Sequence, residues 1–95
     1  MEKIKPIHPG EILKEEFLIP LKITQNKLAV DIKVQPIRIS AILRGKRSIT
    51  PETALRLGKY FRMSPQFWLG LQSDYDLAIE EDKSRDKIKE IVRYA

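Results

Sequence analysis

The sequence predicts an all-α domain, and three observations carry the prediction. Four prolines follow a residue able to start a helix, at His8-Pro9, Gln35-Pro36, Thr50-Pro51 and Ser64-Pro65. Proline suits the first helical position, where its missing N–H would lack an intrahelical partner in any case. Apolar residues recur at three- and four-residue spacing, and no stretch shows the strict alternation of a half-buried strand. The 95 residues also contain no internal repeat or low-complexity linker, which fits one hydrophobic core.

Each helix has its own signals. After Pro9, the residues Leu13, Phe17 and Leu21 stand at i, i+4 and i+8, marking an amphipathic first helix. Pro20 is expected to end or kink it, because the ring disfavours helical geometry at Ile19. Thr24 should cap a second helix over residues 25–31 that buries Leu28, Ala29 and Ile32. A third, over residues 36–44, buries Ile39, Ile42 and Leu43, with Gly45 suited to a left-handed position after its end. The fourth starts at Pro51 and is expected to bury Ala54, Leu55, Leu57 and Phe61. The fifth starts at Pro65 and presents Trp68, Leu71 and Tyr75 on one face. Residues 1–82 thus form the helical domain. Residues 83–95, KSRDKIKEIVRYA, are a charged tail with Ile88, Ile91 and Val92 at helical intervals, readable as a sixth helix or as a docking segment.

Composition narrows the function. The formal charge is +5 and the pI near 9.6, which favours an anionic partner. Its distribution says more. Residues 32–51 carry Lys33, Arg38, Arg44, Lys46 and Arg47 and no carboxylate. Farther on, Asp74, Asp76, Glu80, Glu81 and Asp82 lie in a stretch without a base. This acidic patch reads as a solvated helix face, with pairs such as Glu81 and Arg85, or as a docking surface for a basic protein. Without cysteine there is no disulfide, thiolate nucleophile or sulfur metal site. No apolar run approaches the ~20 residues of a membrane span, and no secretory pattern opens the chain, so a cytoplasmic protein without membrane contact is expected. No Ser/His/Asp set, phosphate-cradling loop or metal-ligand spacing is present, so neither enzyme activity, metal nor cofactor is expected. The single histidine, His8, is read as a cap or brace of the first helix.

The second and third helices, joined through Ile32-Lys33-Val34, have the lengths a helix-turn-helix needs. In that device the first helix braces against the DNA backbone and the N-terminal residues of the second approach base edges in the major groove. Candidate base readers are Gln35, Ile37, Arg38, Ser40 and Ala41. Gln can pair bidentately with adenine and Arg with guanine, whereas Ile37 and Ala41 offer only apolar contact, for example with a thymine methyl. Gln25, Lys33, Arg44, Lys46, Arg47, Ser48 and Thr50 are candidates for phosphate oxygens, which supply affinity and register without sequence information. Phe67, Trp68, Leu71 and Tyr75 are read either as core or as the interface of a homodimer, whose paired helices would fit half-sites one DNA turn apart.

The blocks HPGEILKEEFLIPL, TQNKLA, RGKRSITPETALRLGKYF and SPQFWLGLQSDYDL, collinear over residues 7–78, resemble the HigA/VapI-type antitoxins of the XRE (phage-repressor-like) helix-turn-helix superfamily. The tail after Asp82 lies outside the resemblance. It implies a five-helix DNA-binding core, a homodimer, and a toxin partner acting as a ribosome-associated mRNA endonuclease, with both proteins' operon repressed. Two departures stand out: Lys33 in the joint and Arg62 after the fourth helix replace the family's usual glycines. If both sites keep left-handed geometry, each adds strain of about 1 kcal/mol. A stand-alone regulator without a toxin, and a toxin-capturing module with weak DNA binding, remain the alternatives.

Overall fold

The structure is a computed structural model and describes residues 5–94; the first four residues of the domain and Ala95 of the tail lie outside them. Five helices and no strand are found among the described residues. Helix α1 covers residues 9–21, followed by α2 (Gln25–Ile32), α3 (Pro36–Leu43), α4 (Pro51–Phe61) and α5 (Pro65–Lys89).

The N-termini form as their sequences dictate. Nδ1 of His8 accepts from the Gly10 N–H at 2.9 Å, and Thr24 Oγ1 accepts from the Lys27 N–H at 3.0 Å. Thr50 and Ser64 likewise accept from Thr53 and Gln66, at 3.3 and 3.1 Å. Pro20 does not end α1. The helix instead widens into a π segment over Leu13–Leu18, in which the Ile19 N–H donates to the Lys14 carbonyl, and resumes as Ile19–Leu21. The wider turn gives room to a ring that would press on the Glu16 carbonyl of an ordinary α-helix.

Three helices end on a basic residue in left-handed geometry: Lys22 (φ 56°), Lys33 (φ 59°) and Arg62 (φ 56°). After α2 the Val34 N–H reaches the Ala29 carbonyl at 2.9 Å and the Lys33 N–H reaches Val30 at 3.2 Å. This is a Schellman closure, for which glycine is the usual residue. Both glycine replacements noted in the sequence therefore do sit in the conformation that strains a side chain. Gly45 (φ 73°) takes the same geometry after α3, as expected.

Leu13, Leu28, Ile39, Ile42, Leu57 and Trp68 form the centre of one core. Trp68 is wholly buried, its ring centroid 5.0 Å from Phe17 and 5.1 Å from Phe67. Within one chain it is a core residue, because the first turns of α5 lie across α1 and α4. Leu55 corrects a second expectation, being exposed. The buried stripe of α4 is Thr53, Ala54, Leu57 and Gly58, and Leu55 stands about 100° past Ala54 on the helical wheel.

Gly10 is where α1 crosses α3: a Cβ there would lie 1.9 Å from the Ile42 carbonyl oxygen. Helix α5 runs unbroken for 25 residues, so residues 83–89 extend it and do not form a sixth helix. Its buried residues are Trp68 and Gln72, and its far end projects from a molecule of 50 × 28 × 21 Å. Arg85 pairs with Asp82 at 2.9 Å, not with Glu81 as the spacing suggested. No described helix is long and apolar enough to cross a membrane.

Candidate nucleic-acid interface

Helix α3 packs against α2 and α1 and leaves its other side to solvent. Ile39 and Ile42 face the core, which leaves Gln35, Pro36 and Ile37 exposed at the start of α3 and Ser40 and Ala41 half-buried behind them. Gln35 occupies the capping position without using its side chain as a cap, so its amide remains available. Ile37 is 75% exposed.

Arg38, the candidate guanine reader, makes contacts within the chain. Its guanidinium turns toward the start of α4, donating to Glu52 Oε1 at 3.1 Å, Thr50 Oγ1 at 3.2 Å and Thr53 Oγ1 at 2.5 Å. Thr50, expected on phosphate, is likewise occupied as the α4 cap and as an acceptor for Arg38. In this arrangement Arg38 links α3 to the start of α4. Replacing it with alanine is expected to cost about 1 kcal/mol of stability, its partners being partly solvated. Binding to operator and to random duplex should weaken by the same factor in anisotropy titrations. A change of preference at a single base pair would instead return Arg38 to the base edge.

The remaining cations surround α3. Lys33 stands exposed in the joint and Gln25 at the start of α2. Arg44 is exposed at the end of α3, its Nε 3.4 Å from the Ser40 carbonyl. Lys46, Arg47 and Ser48 are exposed in the loop that follows. That loop is folded back tightly: the N–H groups of Lys46 and Arg47 both donate to the Ala41 carbonyl, at 2.8 and 3.3 Å.

Residues that sequence reasoning passed over hold this surface in place. Gln72, buried on α5, accepts from the Ile49 N–H at 2.8 Å and donates to Asp76 at 3.0 Å, which anchors the basic loop. The only signal was a polar residue four positions after Trp68 on the inward face. Arg56 donates to the Ile32 carbonyl at 2.8 Å and lies 3.7 Å from Glu52, tying α4 to the joint. His8 stacks edge-on against Tyr75 at 4.9 Å, which directs this candidate dimer residue inward. Burial holds the His8 pKa below its usual value, opposed by Asp76 and by a hydrogen bond to the Arg47 backbone. Leu71 is half-buried against the core, and Phe67 is the more exposed of the proposed interface residues. No group of acidic, histidine or cysteine side chains among the described residues could hold a metal ion.

Residues 13–68 match the helix-turn-helix family. The chain is 50% identical over 78 residues to virulence-associated protein I of Dichelobacter nodosus, covering 81% of this chain and 72% of that protein. It belongs to the HigA/VapI-type branch of the XRE helix-turn-helix family. Two solved members of this branch superpose closely. One is the antitoxin HigA of Pseudomonas aeruginosa, solved with the higBA promoter, at a TM-score of 0.91 and 43% identity over 95% of this chain and 99% of that one. The other is an addiction module antidote protein of the HigA family from Coxiella burnetii, at a TM-score of 0.90 and 49% identity over 96% and 100% of the two chains. The HigA/VapI likeness in the sequence and the five-helix fold it implied are both met in the structure.

Proposed function

We propose that this chain is a sequence-specific DNA-binding antitoxin. It represses the operon that encodes it and neutralises a small basic toxin, a ribosome-associated mRNA endonuclease. The observation that carries the reading is α3 itself: an exposed helix of the HigA/VapI type, surrounded by Lys33, Arg44, Lys46 and Arg47, within a stretch free of carboxylates. That the related Pseudomonas protein was solved with promoter DNA supports it. The site of action is then the cytoplasm, and no cofactor is needed.

The working form is a homodimer, because two recognition helices match two half-sites about one DNA turn apart. Exposed Phe67 and Leu77 favour α5 as the contact surface. Residues 83–95, which begin as the end of α5, serve as a docking segment, a reading supported by the exposed side chains of Ile88, Ile91 and Val92.

The DNA half of the proposal is tested by titrating a labelled duplex of the chain's own promoter at salt from about 50 to 200 mM. Lys46→Ala is expected to reduce the logarithmic salt slope by about 1 and to weaken specific and random duplex alike. An unaltered slope would remove Lys46 from the phosphate surface, and absence of duplex binding at every salt would defeat the reading as a whole. The exposed Ile37 favours one second reading, in which toxin capture dominates and DNA is bound firmly only by the complex. Co-purified genomic neighbour would then be required for any gel shift.

A further inference from the structure

The solvent side of α3 carries an apolar patch beside the polar residues Gln35, Ser40 and Arg44. Arg38, whose guanidinium would select guanine, is held on Thr50, Glu52 and Thr53. What projects near the base-reading end is Gln35, then Pro36 and the 75% exposed Ile37, with Ala41 four residues farther on the same side. An apolar side chain cannot sort donors from acceptors, and it leaves unpaired any polar edge that it covers. In the major groove of unmodified DNA one base-edge group is apolar, the C5-methyl of thymine.

We infer that Ile37, supported by Pro36 and Ala41, is a specificity-determining contact that selects a pyrimidine C5-methyl group in each half-site. The inference rests on the DNA-binding reading and adds the identity of the group that is read. Covering the exposed Ile37 side chain with a methyl group removes apolar surface of both from water, which favours the contact. In synthetic, unmodified DNA the methyl comes from thymine; 5-methylcytosine carries the same group at the same position.

The test uses the full chain and the tightest duplex recovered by selection from a random library. Each thymine is replaced singly by deoxyuridine, which removes the methyl and leaves base pairing intact. One position per half-site is expected to bind about fourfold more weakly, the factor that corresponds to about 0.8 kcal/mol for a buried methyl. Ile37→Ala should bind thymine and deoxyuridine duplexes equally at that position, whereas Lys46→Ala should keep the fourfold difference. Because Ile37 is exposed, its variant should unfold at the wild-type midpoint, which separates lost contact from lost fold. If the library yields binding only after cytosine C5-methylation, 5-methylcytosine is the source of the methyl and the inference stands. If no duplex is bound, the DNA-binding reading has failed. If duplex is bound but neither methyl matters, or the thymine preference survives Ile37→Ala, the inference alone is overturned.

Discussion

Trp68→Ala is expected to remove about 3–5 kcal/mol of folding free energy, the range for deleting a large buried aromatic side chain. The indole fills the space between α1, α4 and α5 and touches Phe17, Phe61 and Phe67. Domains of this size have total stabilities of about 5–15 kcal/mol, so the variant should be marginal at room temperature. Urea unfolding followed by circular dichroism measures the loss. The midpoint shift should not depend on protein concentration, because the tryptophan is wholly buried within one chain. A shift that grows on dilution would show that Trp68 also stabilises a dimer. Trp68→Phe provides the control: Nε1 is buried with no acceptor among the described residues. Phenylalanine therefore loses volume and no hydrogen bond to a described residue, and should cost distinctly less.

Gly10→Ala should be the second most damaging substitution, although alanine is intrinsically better in a helix by about 1 kcal/mol. The added Cβ would stand 1.9 Å from the Ile42 carbonyl oxygen and 2.7 Å from its carbon. Both are backbone atoms, so α1 must lift away from α3. Overpacking of this kind costs about 1–3 kcal/mol, and a backbone obstacle places this case at the upper end. Duplex affinity should fall as well, since the loop that carries Lys46 and Arg47 begins where the clash occurs. Thermal unfolding beside Gly70→Ala tests the cause. Gly70 has open space around its position on α5, so alanine there should stabilise. Equal effects at the two sites would refute a steric origin.

Much of the architecture was legible because the decisive signals are local. A proline after a capping residue fixes a helix start through its missing N–H and its set φ, and four such pairs located three of the later helices and the first. The basic stretch was legible as well, since charge along a sequence survives folding. What escaped depends on contacts between distant residues. Leu55 and Leu57 have the same hydrophobicity, and only the direction from which α5 approaches α4 decides which is buried. Arg38 carries the residue type of a guanine reader, but Thr50, Glu52 and Thr53 lie 12 to 15 residues away and claim its donors. Gln72 gave almost no signal, because its importance comes from one backbone N–H on Ile49. Pro20 shows a different limit. The ring excludes ordinary α geometry, and periodicity alone does not distinguish a broken helix from a widened one.

The three left-handed helix ends make ionic strength a common variable for folding and for DNA. Lys22, Lys33 and Arg62 each hold a conformation that disfavours a side chain by about 1 kcal/mol. Each also sets a cation at a helix C-terminus, where the macrodipole returns about 0.3–1 kcal/mol at low salt. Steric strain is indifferent to salt, whereas the compensating attraction is screened over about 8 Å at physiological ionic strength. Raising salt therefore loosens the joints of the fold at the same time as it releases the protein from phosphates. On the proposed DNA-binding reading the two effects meet at Lys33, where a nearby duplex would supply a counter-charge to a cation held in left-handed geometry.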